Sequence, residues 1–304
     1  MPGINAGTKG IGIIGHPIGH SLSPIMHNAA FKHLKLDICY LAFDVMPGDL
    51  GDAVRGLKAL GFLGANVTIP YKVEVARYLD ELASEASAIG AVNTIVVKPE
   101  GLLVGYNTDA AGFLRALKYD ADFEARGKRA VILGAGGAAR ACVYALASGG
   151  AREIVILNRT PERAEKLAED MRRHFSGAPG EEIAFRSGDL SSLPGGPFVE
   201  VVAGADLLVN ATSLGMWPES DALSPLPESV PLASTTVICD LVYRPVATRF
   251  IKFGQSRGAR VVSGLSVLLH QGALSFRMWT GVDAPLNVMR EALVNAVVGG
   301  GSGK

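Results

Sequence analysis

The sequence carries no excess charge of either sign: 29 lysines and arginines balance 29 aspartates and glutamates, for a formal net charge of zero. Without a basic stripe or an acidic tail there is no electrostatic footprint for nucleic acid or a membrane surface, which argues against both as partners. Cysteine is scarce. Cys39, Cys142 and Cys239 are odd in number, far apart and set in apolar runs. They form no C-x-x-C pair and no metal spacing, which argues against a disulfide framework and leaves buried free thiols in a reducing cytosol as the expectation. No long apolar run is unbroken. The most apolar stretch, residues 130–150, contains Arg140 and several glycines, so it is not read as a membrane span. No signal peptide is recognisable, and a cytoplasmic location is expected. Despite 37 glycines there is no repeat of fixed period. Residues 1–9 and the Gly-Gly-Gly-Ser-Gly-Lys tail lack periodicity and are expected to be disordered.

What is present is an α/β pattern long enough for two domains, able to bury about three quarters of the unfolded surface. Residues 134–140 read Gly-Ala-Gly-Gly-Ala-Ala-Arg between an apolar strand (129–133) and a small-residue helix (137–148). In this G-x-G-x-x-A form, Gly134 permits the tight turn and Gly136 lets backbone approach a pyrophosphate. Ala139 meets the need for a small packing residue. The helix N-terminus adds free N–H groups and partial positive charge, and Ile154–Leu157 supplies the second strand of a βαβ unit.

An acidic residue for an adenosine ribose is expected at the end of that second strand. Asn158, Arg159 and Thr160 stand there instead, with Arg163 one turn into a helix that starts at Pro161. Two guanidiniums and a hydroxyl suit a 2′-phosphate. Charge-assisted hydrogen bonds contribute about 1.5–3 kcal/mol each, so NADP(H) should be preferred over NAD(H) by roughly one to two orders of magnitude. The plainer reading is a solvated basic helix start.

Upstream, strands are expected at 11–15, 40–45 and 63–69, helices at about 24–35 and 50–60, and a third helix from Pro70. A hairpin is expected at 92–97 and 102–106 and a helix at about 109–118. Downstream, strands are expected at 206–210, 237–241 and 260–263, with helices near 265–279 and 286–297. The cofactor unit thus sits mid-chain, an arrangement expected to place a small-molecule cleft between domains.

Four polar clusters lie outside the cofactor unit. Ser21 and Ser23 flank a leucine before Pro24, where the two hydroxyls suit a carboxylate at a helix N-terminus, or Ser23 simply caps that helix. In Asn66-Val67-Thr68-Ile69-Pro70-Tyr71-Lys72, Asn66 and Thr68 share a strand face. Lys72 falls in the first turn of the expected helix, electrostatically misplaced at the positive dipole end unless it serves a function or is an ordinary surface lysine. Asn93-Thr94 and Asn107-Thr108-Asp109 complete the set. Asp109 is either a cap or a carboxylate in reach of Lys72, the two forming a proton-handling pair.

Taken in order, these motifs resemble the shikimate dehydrogenase family from about residue 11 to 285. The resemblance rests on the S-L-S loop, N-V-T-I-P-Y-K (66–72), A-V-N-T (91–94), N-T-D (107–109), G-A-G-G-A (134–138), N-R-T-x-x-R (158–163), D-L-V-Y (240–243) and the glycine-to-glutamine stretch 264–271. It implies an N-terminal α/β substrate-binding domain (1–108, with 265–304 returning to it) and a Rossmann-type NADP-binding domain (109–264). It implies that Ser21 and Ser23 hold the substrate carboxylate, and that Thr68, Lys72, Asn93, Asp109 and Gln271 bind ring hydroxyls, with Tyr243 reaching in. Lys72 and Asp109 are the implied catalytic pair. Gly134, Ala135, Gly136, Gly137 and Ala138 are the implied phosphate loop, Asn158, Arg159, Thr160 and Arg163 the 2′-phosphate site, and Leu241 and Gly264 the nicotinamide lining.

The family pattern departs at Val267 and Leu241, where methionine is common. Both swaps are apolar and leave the chemistry intact. The implied reaction is NADPH-dependent, reversible reduction of 3-dehydroshikimate to shikimate in chorismate and aromatic amino acid biosynthesis, with domain closure over the ring and without metal. His16, His20, His33 and His270 are read as structural or exposed. The implied protein acts on a small molecule as a monomer or homodimer. Two alternatives stay open: a quinate/shikimate dehydrogenase of broader specificity, and a non-catalytic NADP-binding sensor.

Overall fold

The computed structural model describes residues 4–177, 182–193, 195–218 and 222–299. It divides into two compact units, one of residues up to Gly112 together with those from Leu268 on, the other Phe113–Val267.

The first unit contains β1 (Lys9–Gly15), α1 (Ser23–His33), β2 (Ile38–Asp44), α2 (Leu50–Ala59), β3 (Gly64–Val67), β4 (Glu81–Leu82), α3 (Ser84–Ile89), β5 (Thr94–Val97) and β6 (Leu103–Tyr106). Its sheet runs β2-β1-β3-β5-β6-β4. β1 pairs in parallel with β2 and β3, while β5 lies antiparallel to both β3 and β6. The chain continues through α4 (Asp109–Ala121), in which the division between units falls.

The second unit is built from β7 (Arg129–Leu133), α5 (Gly137–Ser148), β8 (Glu153–Asn158), α6 (Pro161–Phe175), β9 (Ala184–Asp189), α7 (Val199–Ala203), β10 (Leu207–Asn210), β11 (Val237–Asp240), α8 (Arg249–Ser256) and β12 (Arg260–Val262). All six strands are parallel, in the order β12-β11-β10-β7-β8-β9. The central strands are buried along their length, as the continuous apolar runs of β7 and β8 require when helices cover both faces. α9 (Gly264–Thr280) and α10 (Leu286–Gly299) close the chain, and α10 packs back against α1 in the first unit.

Three expectations need correction. No α-helix starts at Pro70: residues 70–73 form turns, followed by a 3₁₀ segment, Glu74–Tyr78. The Lys72 carbonyl accepts the Val92 N–H at 2.7 Å, so it is turned toward the segment that leads into β5 and not toward the i+4 amide that a helix needs. Tyr71 is buried, its hydroxyl donating to the Val45 carbonyl at 2.5 Å. The helix-dipole argument for Lys72 falls with that helix. Residues 4–9 are ordered: the Thr8 hydroxyl donates to Asp37 at 2.8 Å and accepts from the Asn5 N–H at 3.0 Å. Residues 1–3 and the tail from 300 lie outside the described residues. Ser23 does not cap α1, since Leu22 occupies the cap position and no side-chain cap bond forms there.

Candidate active site

In the first unit, the ends of β3, β5 and β6 and the start of α4 bring together polar side chains far apart in sequence. Lys72 Nζ lies 2.6 Å from Asp109 Oδ2, with each side chain 15% exposed. Asp109 is spared from capping because Asn107 Oδ1 accepts the Ala110 N–H at 3.2 Å. Its second oxygen, Oδ1, accepts from Asn93 Nδ2 at 2.8 Å. The two carboxylate oxygens therefore hold different partners, one cationic and one neutral.

Asn93 is oriented without ambiguity. Its Oδ1 accepts the Thr108 backbone N–H at 2.7 Å, a group that can only donate. Its Nδ2 is therefore left to donate to Asp109 and to Gln271 Oε1, the latter at 3.1 Å. Gln271 in turn donates from Nε2 to the Leu268 carbonyl at 2.9 Å.

Behind these amides lies a buried triangle of hydroxyls. Thr94 and Ser275 are 2.8 Å apart, Thr108 and Ser275 3.0 Å, and Thr94 and Thr108 3.3 Å. Asn66 Nδ2 donates to both Thr94 and Ser275 at 3.2 Å, and the Tyr40 hydroxyl donates to Asn66 Oδ1 at 2.7 Å. Asn66 is thus drawn into the buried network, while the Thr68 side chain makes none of its bonds. Ser21 Oγ accepts the Ser23 N–H at 3.3 Å, and the Ser23 side chain is buried. Thr108 belongs to a cluster the sequence singled out, whereas Ser275 and Tyr40 escaped the sequence reading. Ser275 stands one helical turn after Gln271, which was the available signal.

In the second unit Gly134 has φ +114°, and a side chain there would meet the Ala211 carbonyl at 2.9 Å. Gly136 is the residue before α5, in extended conformation, exposed and with open space where a Cβ would stand. No side chain caps α5, so the backbone N–H groups of its first turn, from Gly137 and Ala138 on, are available to an anion. Ala135 is partly buried in the intervening turn.

At the end of β8, Asn158 Nδ2 donates to the Thr160 carbonyl at 2.9 Å, which shapes the turn into α6. Arg159, Thr160 and Arg163 are exposed, and neither guanidinium has an acidic partner among the described residues. Leu241 follows β11, where a side chain on Gly264 would meet the Leu241 carbonyl at 2.6 Å. Tyr243 stands partly buried in the same loop. Among the described residues no group of three or more potential metal ligands forms.

Comparison with known proteins was made against these features. Residues 13–95 match the shikimate dehydrogenase substrate binding domain, residues 118–183 the shikimate / quinate 5-dehydrogenase model, and residues 264–294 the shikimate 5'-dehydrogenase C-terminal domain. The NADP(+) shikimate dehydrogenase of Moorella thermoacetica is 50% identical over 97% of this chain and 95% of its own. That of Methanopyrus kandleri is 48% identical over 96% and 97%. The Thermus thermophilus shikimate 5-dehydrogenase, solved with NADP(H) and shikimate, superposes with a TM-score of 0.81 at 38% identity, covering 95% of this chain and 100% of that one. With glycine turn, lysine–carboxylate pair and near-full-length identity in agreement, the chain belongs to the shikimate dehydrogenase family.

Proposed function

We propose that this protein reduces 3-dehydroshikimate to shikimate reversibly with NADPH, and that Lys72 and Asp109 are its catalytic pair. The observation that carries the reading is the 2.6 Å contact between Lys72 and Asp109, fixed from behind by Asn93. NADPH, when bound, supplies the hydride. A ketone that receives hydride becomes an alkoxide and needs a proton. The Lys72 ammonium stabilises that oxygen and donates to it, a contribution worth roughly 10²–10⁴ in rate. Asp109 keeps the amine aimed and favours its recharging from solvent. In the reverse direction the neutral amine takes the hydroxyl proton.

Around this pair, Thr68, Asn93 and Gln271 present hydrogen-bonding groups for ring hydroxyls, and Ser21 and Ser23 hold the carboxylate; Tyr243, in the second unit, is a further substrate residue that the family resemblance implies. In the cofactor unit the Gly134–Ala138 turn and the uncapped start of α5 cradle the pyrophosphate. Arg159 and Arg163, with no acidic partner among the described residues, take the 2′-phosphate with Asn158 and Thr160. Leu241 and Gly264 border the nicotinamide. A cytoplasmic location accords with the buried thiols Cys142 and Cys239, which form no disulfide.

A steady-state assay crossing shikimate and quinate with NADP and NAD tests the reading. Shikimate with NADP is the expected best pair. Faster turnover of quinate would move the protein to the broader-specificity alternative, and no turnover of either acid would leave only cofactor binding.

A further inference from the structure

The carboxylate of Asp240 takes no part in the chemistry above, yet it is fully buried and has no cationic partner among the described residues. We propose that Asp240 is a positioning residue, its side chain tying the loops after β10 and β11 into one piece that seats the nicotinamide half of the cofactor. The inference rests on the reading that this unit binds NADPH.

Asp240 is the last residue of β11. Its Oδ1 accepts from Asn210 Nδ2 at 2.8 Å and from the Val242 N–H at 3.0 Å, and its Oδ2 accepts from the Thr248 hydroxyl at 2.6 Å. Thr248 also caps α8 by accepting the Ile251 N–H at 3.1 Å, so one carboxylate grips the loop of residues 241–248 at both ends. Asn210 is the last residue of β10. It donates to the Leu214 carbonyl at 3.0 Å, and its Oδ1 accepts the Thr212 N–H at 3.0 Å and the Thr212 hydroxyl at 2.7 Å. The Asp240–Asn210 bond therefore joins two loops that are each folded around their own end of it.

A second tie lies farther out: the Trp217 N–H donates to the Arg244 carbonyl at 2.8 Å, and the Arg244 guanidinium stacks on the Trp217 ring at 4.4 Å. Within the second unit the joined loops touch two elements assigned above to the cofactor, the Gly134 turn and Gly264. Ala211 lies against the Gly134 turn, and the Leu241 and Val242 carbonyls lie against Gly264 at the start of α9. The sheet order reverses direction between β7 and β10, and a dinucleotide binds outside the carboxyl ends of strands at such a point. Holding an uncompensated carboxylate at 0% exposure is unfavourable for stability, and three convergent hydrogen bonds to two loops are what it provides in return.

Calorimetric binding of NADPH and of 2′,5′-ADP, which lacks the nicotinamide, tests this beside steady-state kinetics with 3-dehydroshikimate. Asp240→Asn keeps an acceptor toward Asn210 and Val242 and a donor toward Thr248, so kcat/KM for NADPH should stay within about threefold of wild type. Asp240→Leu keeps bulk and cuts every tie, and should lower kcat/KM for NADPH about tenfold while the affinity for 2′,5′-ADP stays within about twofold. Asn210→Leu reads the same joint from the other loop should Asp240→Leu fail to fold. Wild-type kinetics in Asp240→Leu and Asn210→Leu, or equal weakening of NADPH and 2′,5′-ADP, would overturn the proposal. A wild-type protein that binds neither NADPH nor 2′,5′-ADP would overturn the reading of the unit itself, and the proposal with it.

Discussion

The two units hold the charges proposed above to be functional in opposite ways. Lys72 and Asp109 are mostly buried, in mutual contact, and backed by Asn93. Arg159 and Arg163 stand exposed at a strand end, and no side chain of the described residues restrains their guanidiniums. A proton transfer is sensitive to sub-ångström geometry, so the amine and carboxylate are oriented before any substrate arrives. A phosphate carries its own charge and several acceptor oxygens, so it can order flexible guanidiniums on arrival.

Removing the fixed pair should have the largest effect. Lys72→Ala and Asp109→Asn are expected to lower kcat about 10³-fold while calorimetric affinity for NADPH changes less than about twofold. Near-normal turnover in Lys72→Ala would show that the amine is scaffold. The exposed site should respond in the other coin, binding. Arg159→Ala is expected to raise KM for NADPH about ten- to a hundredfold and leave NADH little changed. Equal losses for both cofactors would mean that Arg159 supports the fold of the turn and not a 2′-phosphate.

The cofactor unit was the more legible of the two from sequence. Its glycine turn and arginine-bearing strand end are local, and the apolar runs of β7 and β8 mark buried parallel strands. The first unit's site was legible in its parts, Lys72, Asn93 and Asp109, but not in its wiring. Thr108 and Ser275 are 167 residues apart in sequence, and no local pattern announces their 3.0 Å contact. The helix expected at Pro70 failed because the apolar positions Val73, Ala76, Leu79 and Ala83 keep helical spacing, whereas the Lys72 carbonyl is committed to Val92. β9, Ala-Phe-Arg-Ser-Gly-Asp, is an edge strand with little apolar alternation and left no readable signal.

His27 in one unit and Asp240 in the other are buried titratable groups that pull stability in opposite directions with pH. His27 has no exposed surface and neither ring nitrogen has a partner among the described residues; it stacks on Tyr40 at 4.5 Å, and burial lowers its pKa from 6.5 to about 3. Below pH 6.5 the unfolded chain takes up that proton and the folded one does not, so stability falls as pH falls toward 3. Burial of Asp240 raises its pKa from 3.8 to about 6, against the opposing pull of its bonds to Thr248, Val242 and Asn210. Between pH 6 and 3.8 the folded chain takes up the proton first, so this group adds stability as pH falls. From pH 7 to 5, His27 should remove about 2 kcal/mol and Asp240 should add about 1 kcal/mol. Urea unfolding at the two pH values checks both. His27→Phe should flatten the loss relative to wild type and Asp240→Asn should steepen it; parallel slopes in all three proteins would reject the assignment.

The smallest effect sharpens what holds the first site rigid. The hydroxyls of Thr94, Thr108 and Ser275 have one proton each for three mutual contacts, and Thr94 and Thr108 also reach Asn93 Oδ1, at 3.0 and 3.2 Å. Ser275 takes an N–H from Asn66 and touches both threonines, so deleting it leaves those threonines free to turn away from Asn93. Ser275→Ala is expected to lower kcat/KM for 3-dehydroshikimate about threefold to fivefold, with KM for NADPH unmoved and Ser275→Thr recovering part of the loss. A fall in thermal stability with wild-type kinetics would make the triangle a packing feature. A larger loss than Asn93→Ala produces would mean that Ser275 acts on more than Asn93, with Gln271, whose carbonyl accepts from Ser275 at 3.2 Å, as the next residue to vary.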